Sequence, residues 1–362
     1  MPRQIDPTDL GIHILVDCEK PVIDIVAVHG LGATPSTTWT KAPTVQEHLD
    51  RHTEPSTTAP PTRANNFEDR INWLSNPKML PADVTNARIM TFNYESNWYG
   101  DDAVKVRLNQ VADDLRRKIL RQRENCSSRP LIFIGHCFGG LVIEKMKALI
   151  QPQMSKILDD TAGVVLLGTP HRGTDNVTSG ELLQRILRAG AAGEAASLTV
   201  LRTDNEMVLD TVHSFSTITR EKDIPVHCFF EQKSSKVSKM FGDDYKDFIV
   251  DEKSAILDGC ESYGLPLDHY QLNKFSDPED GNWKQLSGVI TDLCDNTDQV
   301  LAKRNNDHPP TPKENEVRGE RKRKRKREEE NQRNNFSGRF STKGGKQFIG
   351  GSFNSEGGTM NF

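Results

Sequence analysis

Long apolar runs are the first thing missing from this chain of 362 residues: no stretch approaches the ~18 consecutive apolar residues of a membrane span. Residues 1–10 carry Asp6 and Asp9 and no extended apolar segment, so no secretory signal is expected and the reading places the chain in the cytoplasm. Cysteine is sparse as well. The six (Cys18, Cys126, Cys137, Cys228, Cys260 and Cys294) are scattered, with no C-x-x-C spacing. That excludes a disulfide framework and a zinc site, and it suits a reducing compartment. No metal and no cofactor is expected. Net charge is only −4, which excludes nucleic-acid binding by bulk electrostatics. The length is enough to bury one large α/β core and still carry appendages.

What is present is organised around Leu131 to Val142, LIFIGHCFGGLV. Leu131, Ile132, Phe133 and Ile134 read as a buried parallel strand, a G-x-C-x-G turn follows, and Leu141 to Met146 begins a helix. A strand, a sharp turn and a helix form the setting in which one side chain is lifted clear of a sheet as a nucleophile. Gly135 and Gly139 flank the bend because side chains there would collide with the neighbouring strand and helix. The helix N-terminus below would support a thiolate or a developing oxyanion. The residue at the apex is Cys137, where serine is the usual occupant.

A second motif precedes it. Val22 to Val28 reads as a strand that ends in His29-Gly30-Leu31-Gly32. An H-G-x-G loop after an early strand supplies a backbone N–H to an oxyanion hole in α/β-hydrolases, here from Leu31, and the second N–H comes from Phe138. Further strands are read at Gly11 to Val16, Ala87 to Tyr94, Ala162 to Leu167, Pro225 to Phe230 and Asp247 to Val250. Helices fall over Asp102 to Arg123 (capped by Asp101), Ser179 to Ala189, Asp204 to Thr219 and Trp283 to Val300. The alternation predicts an α/β-hydrolase fold with a mostly parallel, doubly wound sheet. Residues 1–302 form that domain, with a Pro/Thr/Ser/Asn-rich surface insertion at 51–66 and a helical lid over about 179–220.

Chain order in this fold is nucleophile, acid, histidine, so the base lies late. Of His213, His227, His269 and His308, only His269 occupies a loop (Asp258 to Asp268 leads into it) before the last helix. It is the candidate to take the Cys137 proton and later activate water. For the acid, Glu231 at the end of a strand leads, Asp251 is the runner-up, and Asp268 is the weakest because it would have to fold back on its neighbour. An ionised carboxylate on Nδ1–H would fix the tautomer and stabilise the imidazolium.

VIDIVAVHGLG (22–32), Trp73-Leu74, ARIMTFNY (87–94), IFIGHCFGGLV (132–142), GVVLLGTPHRGTD (163–175) and PLDH (266–269) resemble the intracellular serine-esterase/lipase-like, SesB-type α/β-hydrolases of filamentous fungi, found beside or fused to NACHT-type NOD-like receptors. The resemblance covers about residues 10 to 300. It implies an ester or lipid substrate, with Cys137 a departure from the family's serine. A hydrolase fold without catalysis, acting as an interaction module, is the alternative reading.

From Lys303 to residue 333 the composition becomes that of a disordered linker. It contains Arg321-Lys322-Arg323-Lys324-Arg325-Lys326-Arg327, a block suited to anionic lipid, nucleic acid or an import receptor, and so to membrane-surface or nuclear association. Residues 334–362 are rich in Gly, Asn, Ser and Phe and hold a near-repeat: SGRFSTKGG (337–345) aligns with GGSFNSEGG (350–358). Stacked as β rungs, the copies would bring Phe340 over Phe353 and Lys343 over Glu356. The tail resembles the HET-s or sigma kind of fungal amyloid signalling motif. That resemblance implies self-assembly through 334–362, a NOD-like receptor with a similar motif as partner, and a role in incompatibility or programmed cell death.

Overall fold

The computed structural model describes residues 5–41, 70–96, 108–126, 128–148, 156–171, 206–236 and 246–304. The insertion at 51–66, the Asp101 cap, the helix read at 179–189, the basic run and the 334–362 tail lie outside the described residues. The chain divides into two units, Met1–Asn306 and Asp307–Phe362.

Seven strands form the main sheet: β1 (Gly11–Val16), β2 (Ile23–Val28), β3 (Ala87–Asn93), β4 (Leu131–His136), β5 (Thr161–Leu167), β6 (Val226–Glu231) and β7 (Glu261–Leu265). Their order is β1-β3-β2-β4-β5-β6-β7, parallel throughout except for β1, which runs antiparallel to β3. The order reverses direction on either side of β2 and β4. It is at such a switch that the carboxyl ends of neighbouring strands leave a crevice. This is the α/β-hydrolase arrangement, with the β4 turn beside the end of β2.

Alternation along each strand builds two cores. Val26, Phe133, Val164, Leu166 and Cys228 face one side with α1 (Leu108–Gln122), α2 (Phe138–Ala148) and α3 (Glu206–Glu221). Ile25, Ala27, Ile132, Ile134, Val165 and Phe229 face the other, against Trp39, Trp73 and α4 (Gly281–Asp295). Both faces are covered, which explains why the central strands read as continuous apolar runs. Trp73 sits edge-on to Trp39 and Phe275, and its indole N–H donates to Asn273 O at 2.9 Å.

Four sequence expectations are corrected. Residues 206–221, read as part of a lid, form α3, which packs on α2 as a core crossover helix with Phe215 fully buried. The loop read over 258–268 contains β7; its Glu261-Ser262-Tyr263 start is polar because β7 is a sheet edge. The strand read at 247–250 is only a two-residue bridge, Lys246–Asp247 with Ser235–Lys236. The closing helix also breaks at Asn296, and α5 (Thr297–Arg304) follows it.

At the amino ends of the strands lies a buried ionic knot. Arg123 pairs with Asp24 and, at 2.9 Å, with Asp160, while Arg129 reaches Asp24 at 2.8 Å. It ties the end of α1 to the starts of β2, β4 and β5. Removing one member strands the opposite charge in a dry site, which is far costlier than deleting the whole set. Arg123→Met is expected to lower stability by about 3 kcal/mol, read as a shift in the urea midpoint with the m-value unchanged.

Candidate active site

Cys137 follows β4 with φ 53, a left-handed conformation that a non-glycine residue adopts only under restraint. The restraint is visible. Its N–H donates to Leu167 O at 2.9 Å, and its own carbonyl accepts from Gly140 N at 3.0 Å. Gly139 lies so close to the end of β2 that a Cβ there would overlap the carbonyl oxygens of Val28 and His29. The bend and the HGLG loop are thus pressed together, and only glycine permits that approach.

The loop has its own supports. His29 is fully buried; its Nδ1–H donates to Gly30 O at 2.9 Å, and its Nε2 accepts from Tyr94 N at 3.4 Å. The Tyr94 hydroxyl donates to His29 O at 2.8 Å, and the two rings stack at 4.3 Å. Gly32 N donates to Ser96 O, and Ser96 Oγ donates to Ala33 O. Phe138 opens α2, so its N–H has no acceptor within the helix. That amide bears on the Cys137 sulfur.

Sequence reasoning selected His269 and Glu231, and the fold brings them together: Nδ1 and Oε2 are 3.7 Å apart, just beyond hydrogen-bond range, with both side chains buried. Glu231 is the last residue of β6, and its Oε1 accepts from Ile249 N at 2.7 Å and Val250 N at 2.9 Å. Asp251, the runner-up, is engaged elsewhere. Its Oδ1 accepts from Ser254 N at 2.9 Å as the cap of the single turn Glu252–Ala255. Asp268 likewise accepts from Gln271 N at 3.0 Å and turns the chain after His269.

Several contributors carry no sequence motif of their own. Gly168, at φ 55, ends β5 directly against the base: a Cβ there would lie 3.1 Å from His269 Cε1 and Nδ1. His136 donates through Nε2 to His269 O at 3.2 Å, with the two rings 5.0 Å apart. The Ile249 and Val250 amides reach Glu231 from 18 and 19 residues further along the chain.

Burial sets the protonation of the site. It pushes the Cys137 thiol up to about 12, only partly offset by the Phe138 amide. It pushes Glu231 up to about 8 against the pull of its two amide donors, and His269 down to about 4. At neutral pH the resting constellation is therefore thiol, neutral imidazole and largely protonated carboxyl.

No family model matches the chain. Protein SERAC1 of Danio rerio is 25% identical over 279 residues, 73% of this chain and 38% of that protein. Protein SERAC1 of Homo sapiens is 25% identical over 178 residues, 45% of this chain and 24% of that protein. The chain thus spans well under half the length of these curated relatives. Among solved structures, Bacillus licheniformis lipase BlEst2 is similar with a TM-score of 0.44 and 14% identity, covering 77% of this chain and 97% of that one. A lipase-esterase related protein from Clostridium acetobutylicum has a TM-score of 0.40 and 11% identity, covering 78% and 99%. Among the described residues no helix is long and apolar enough to cross a membrane.

Burial of neutral histidines makes the domain acid-sensitive. His29 and His269 are held down to about 4 and His136 well below its ordinary value, all chiefly by burial. Each depressed histidine adds stability that is present above the unfolded value near 6.5 and is lost as pH falls through its folded value. Glu231, raised to about 8, acts with the opposite sign and offsets roughly one of the three. The net expectation is a loss of roughly 2 kcal/mol between about pH 6 and pH 5, measured by urea unfolding, with His136→Asn reducing that slope.

Proposed function

We propose that this protein is a carboxylic-ester hydrolase, of esterase or lipase type, that uses Cys137 as nucleophile, His269 as base and Glu231 as the orienting acid. The single observation that carries the reading is the juxtaposition of Glu231 and His269 at the carboxyl end of a sheet whose β4 ends in a strained cysteine elbow. As the Sγ–H proton passes to His269 Nε2, sulfur attacks the ester carbonyl. The resulting oxyanion is received by the Leu31 and Phe138 amides. The C–O bond then breaks, the alcohol leaves with the proton from His269, and a thioester remains. Water, deprotonated by His269, attacks that thioester, and collapse releases the carboxylic acid and restores the thiol.

Beyond the hydrolase domain, we propose that residues 334–362 self-assemble, templated by a partner bearing a similar motif, of the NOD-like receptor kind, and that this triggers the domain in an incompatibility or cell-death response. The support is the internal near-repeat in the sequence. The basic run 321–327 is proposed to contact anionic lipid, nucleic acid or an import receptor. These assignments imply a cytoplasmic protein with access to membrane surfaces or the nucleus.

One observation favours a second reading, a catalytically silent module: the thiol is held up at about 12 rather than poised as a thiolate. The readings separate on p-nitrophenyl butyrate. Burst release of p-nitrophenol that iodoacetamide abolishes, lost by roughly a thousandfold in Cys137→Ala, supports catalysis. Cys137→Ser should retain turnover and lose its sensitivity to iodoacetamide. If Cys137→Ala keeps full cell-death activity while removal of 334–362 abolishes it, the enzymatic account fails.

The pH dependence follows from Glu231. Its ionised form stabilises the imidazolium, so kcat/KM is expected to rise with pH through about 8. Glu231→Gln should lower the rate and flatten that limb; a limb that survives this substitution belongs to another group.

A further inference from the structure

A second buried pair of the same residue types lies behind the site and takes no part in the chemistry above. Glu144, on α2 one and a half to two turns past the elbow, places Oε1 2.7 Å from His171 Nδ1, and both side chains are fully buried. His171 Nε2 faces Cys228 Sγ of β6 at 3.8 Å. Burial works against charge on His171, but Glu144 on one side and Cys228 on the other together lift the imidazole to about 10.

The short segment from Gly168 to His171 touches three parts of the candidate site. Gly168 lies against the His269 ring, and Thr169 packs over Gly140 in the first turn of α2. His171 N donates to Ser254 O at 2.7 Å. Ser254 belongs to the turn capped by Asp251, immediately after Ile249 and Val250, whose amides hold Glu231. One end of the segment therefore meets the base, its middle meets the elbow helix, and its far end meets the loop that seats the acid. A buried ion pair in an otherwise apolar core does not favour folding over an apolar pair of similar volume, which leaves holding two elements at one separation as the role for this one.

We propose that Glu144 and His171 are positioning residues: their buried pair fixes the Gly168–His171 segment against α2 and so sets the relative placement of Cys137, His269 and Glu231. Cys228 sits under the imidazole as a soft acceptor for its remaining N–H. The inference rests on the hydrolase reading for its consequence, not for its geometry.

The test compares the full-length protein with Glu144→Gln and with the double variant Glu144→Leu/His171→Leu. Three quantities are read: the urea midpoint, kcat and KM on p-nitrophenyl butyrate, and the pH dependence of Cys137 alkylation by iodoacetamide, followed by peptide mass. The double variant should unfold at a midpoint equal to or above that of the parent. Its kcat should nevertheless fall roughly ten- to a hundredfold with KM little changed, and its alkylation profile should move along the pH axis. A double variant that keeps kcat and the parent profile overturns the proposal and leaves the pair a stability element only. Should the double variant fail to fold, the near-isosteric Glu144→Gln decides: a moved profile supports positioning, an unmoved one overturns it. If the parent itself turns over no ester, the hydrolase reading fails, while the alkylation profiles still decide the positioning claim.

Discussion

The close approach of Gly139 to the last carbonyls of β2 is the constraint on which the site depends. It leaves no room for a side chain at 139, and two residues earlier the chain turns through Cys137 at φ 53, at a cost of about 1–3 kcal/mol. The same contact brings the HGLG loop within reach of the elbow, and that loop is pinned in turn by the stacked His29 and Tyr94. The Phe138 amide, the Cys137 sulfur and the HGLG loop are thus gathered around one backbone contact. The parallel pairing of β2 with β4 holds the two strand ends side by side so that this contact exists.

Two buried carboxylate–histidine pairs share this scaffold and differ in charge. Glu144 at 2.7 Å and Cys228 at 3.8 Å together lift His171 to about 10 against its desolvation, so this imidazole is charged at neutral pH. At 3.7 Å, Glu231 does not do this for His269, and burial drives both toward their neutral forms. The difference suits their placement. A pair fixed in its charged form can hold a backbone segment in one position. A pair held near neutrality can gain a proton from a thiol and lose it again.

Much of this was legible in the sequence, for identifiable reasons. The elbow and the HGLG turn could be read because strand, glycine and turn occur together at fixed offsets. His269 could be read because chain order leaves few candidates. Glu231 is preferred to Asp251 on strand position alone; in the fold Asp251 caps a helix turn, while Glu231 lies beside His269 and receives two amides from Ile249 and Val250. The edge strand β7 escaped notice because Glu261 and Ser262 face solvent and break the apolar pattern. Residues 206–221 were misassigned because an amphipathic helix between two strands reads alike whether it crosses over a sheet or covers a cleft. Glu144 left a faint signal, a lone acid in an apolar helix, but its partner lies 27 residues away and no local periodicity joins them.

A cysteine at this apex also changes what the surroundings must do. Cysteine sites that keep a thiolate beside an imidazolium place both charges in contact with polar or cationic groups. Here the neighbours are Phe138, Tyr94 and the buried end of β2, and burial dominates. Such a setting disfavours a standing ion pair and favours moving the proton only as the new bond to sulfur forms, which is the manner in which a serine hydroxyl is activated. On the proposed mechanism, Cys137 would thus be activated in the manner of a serine hydroxyl. Any advantage a thiol has over a hydroxyl here must come from the greater intrinsic nucleophilicity of sulfur and not from a thiolate already present at rest.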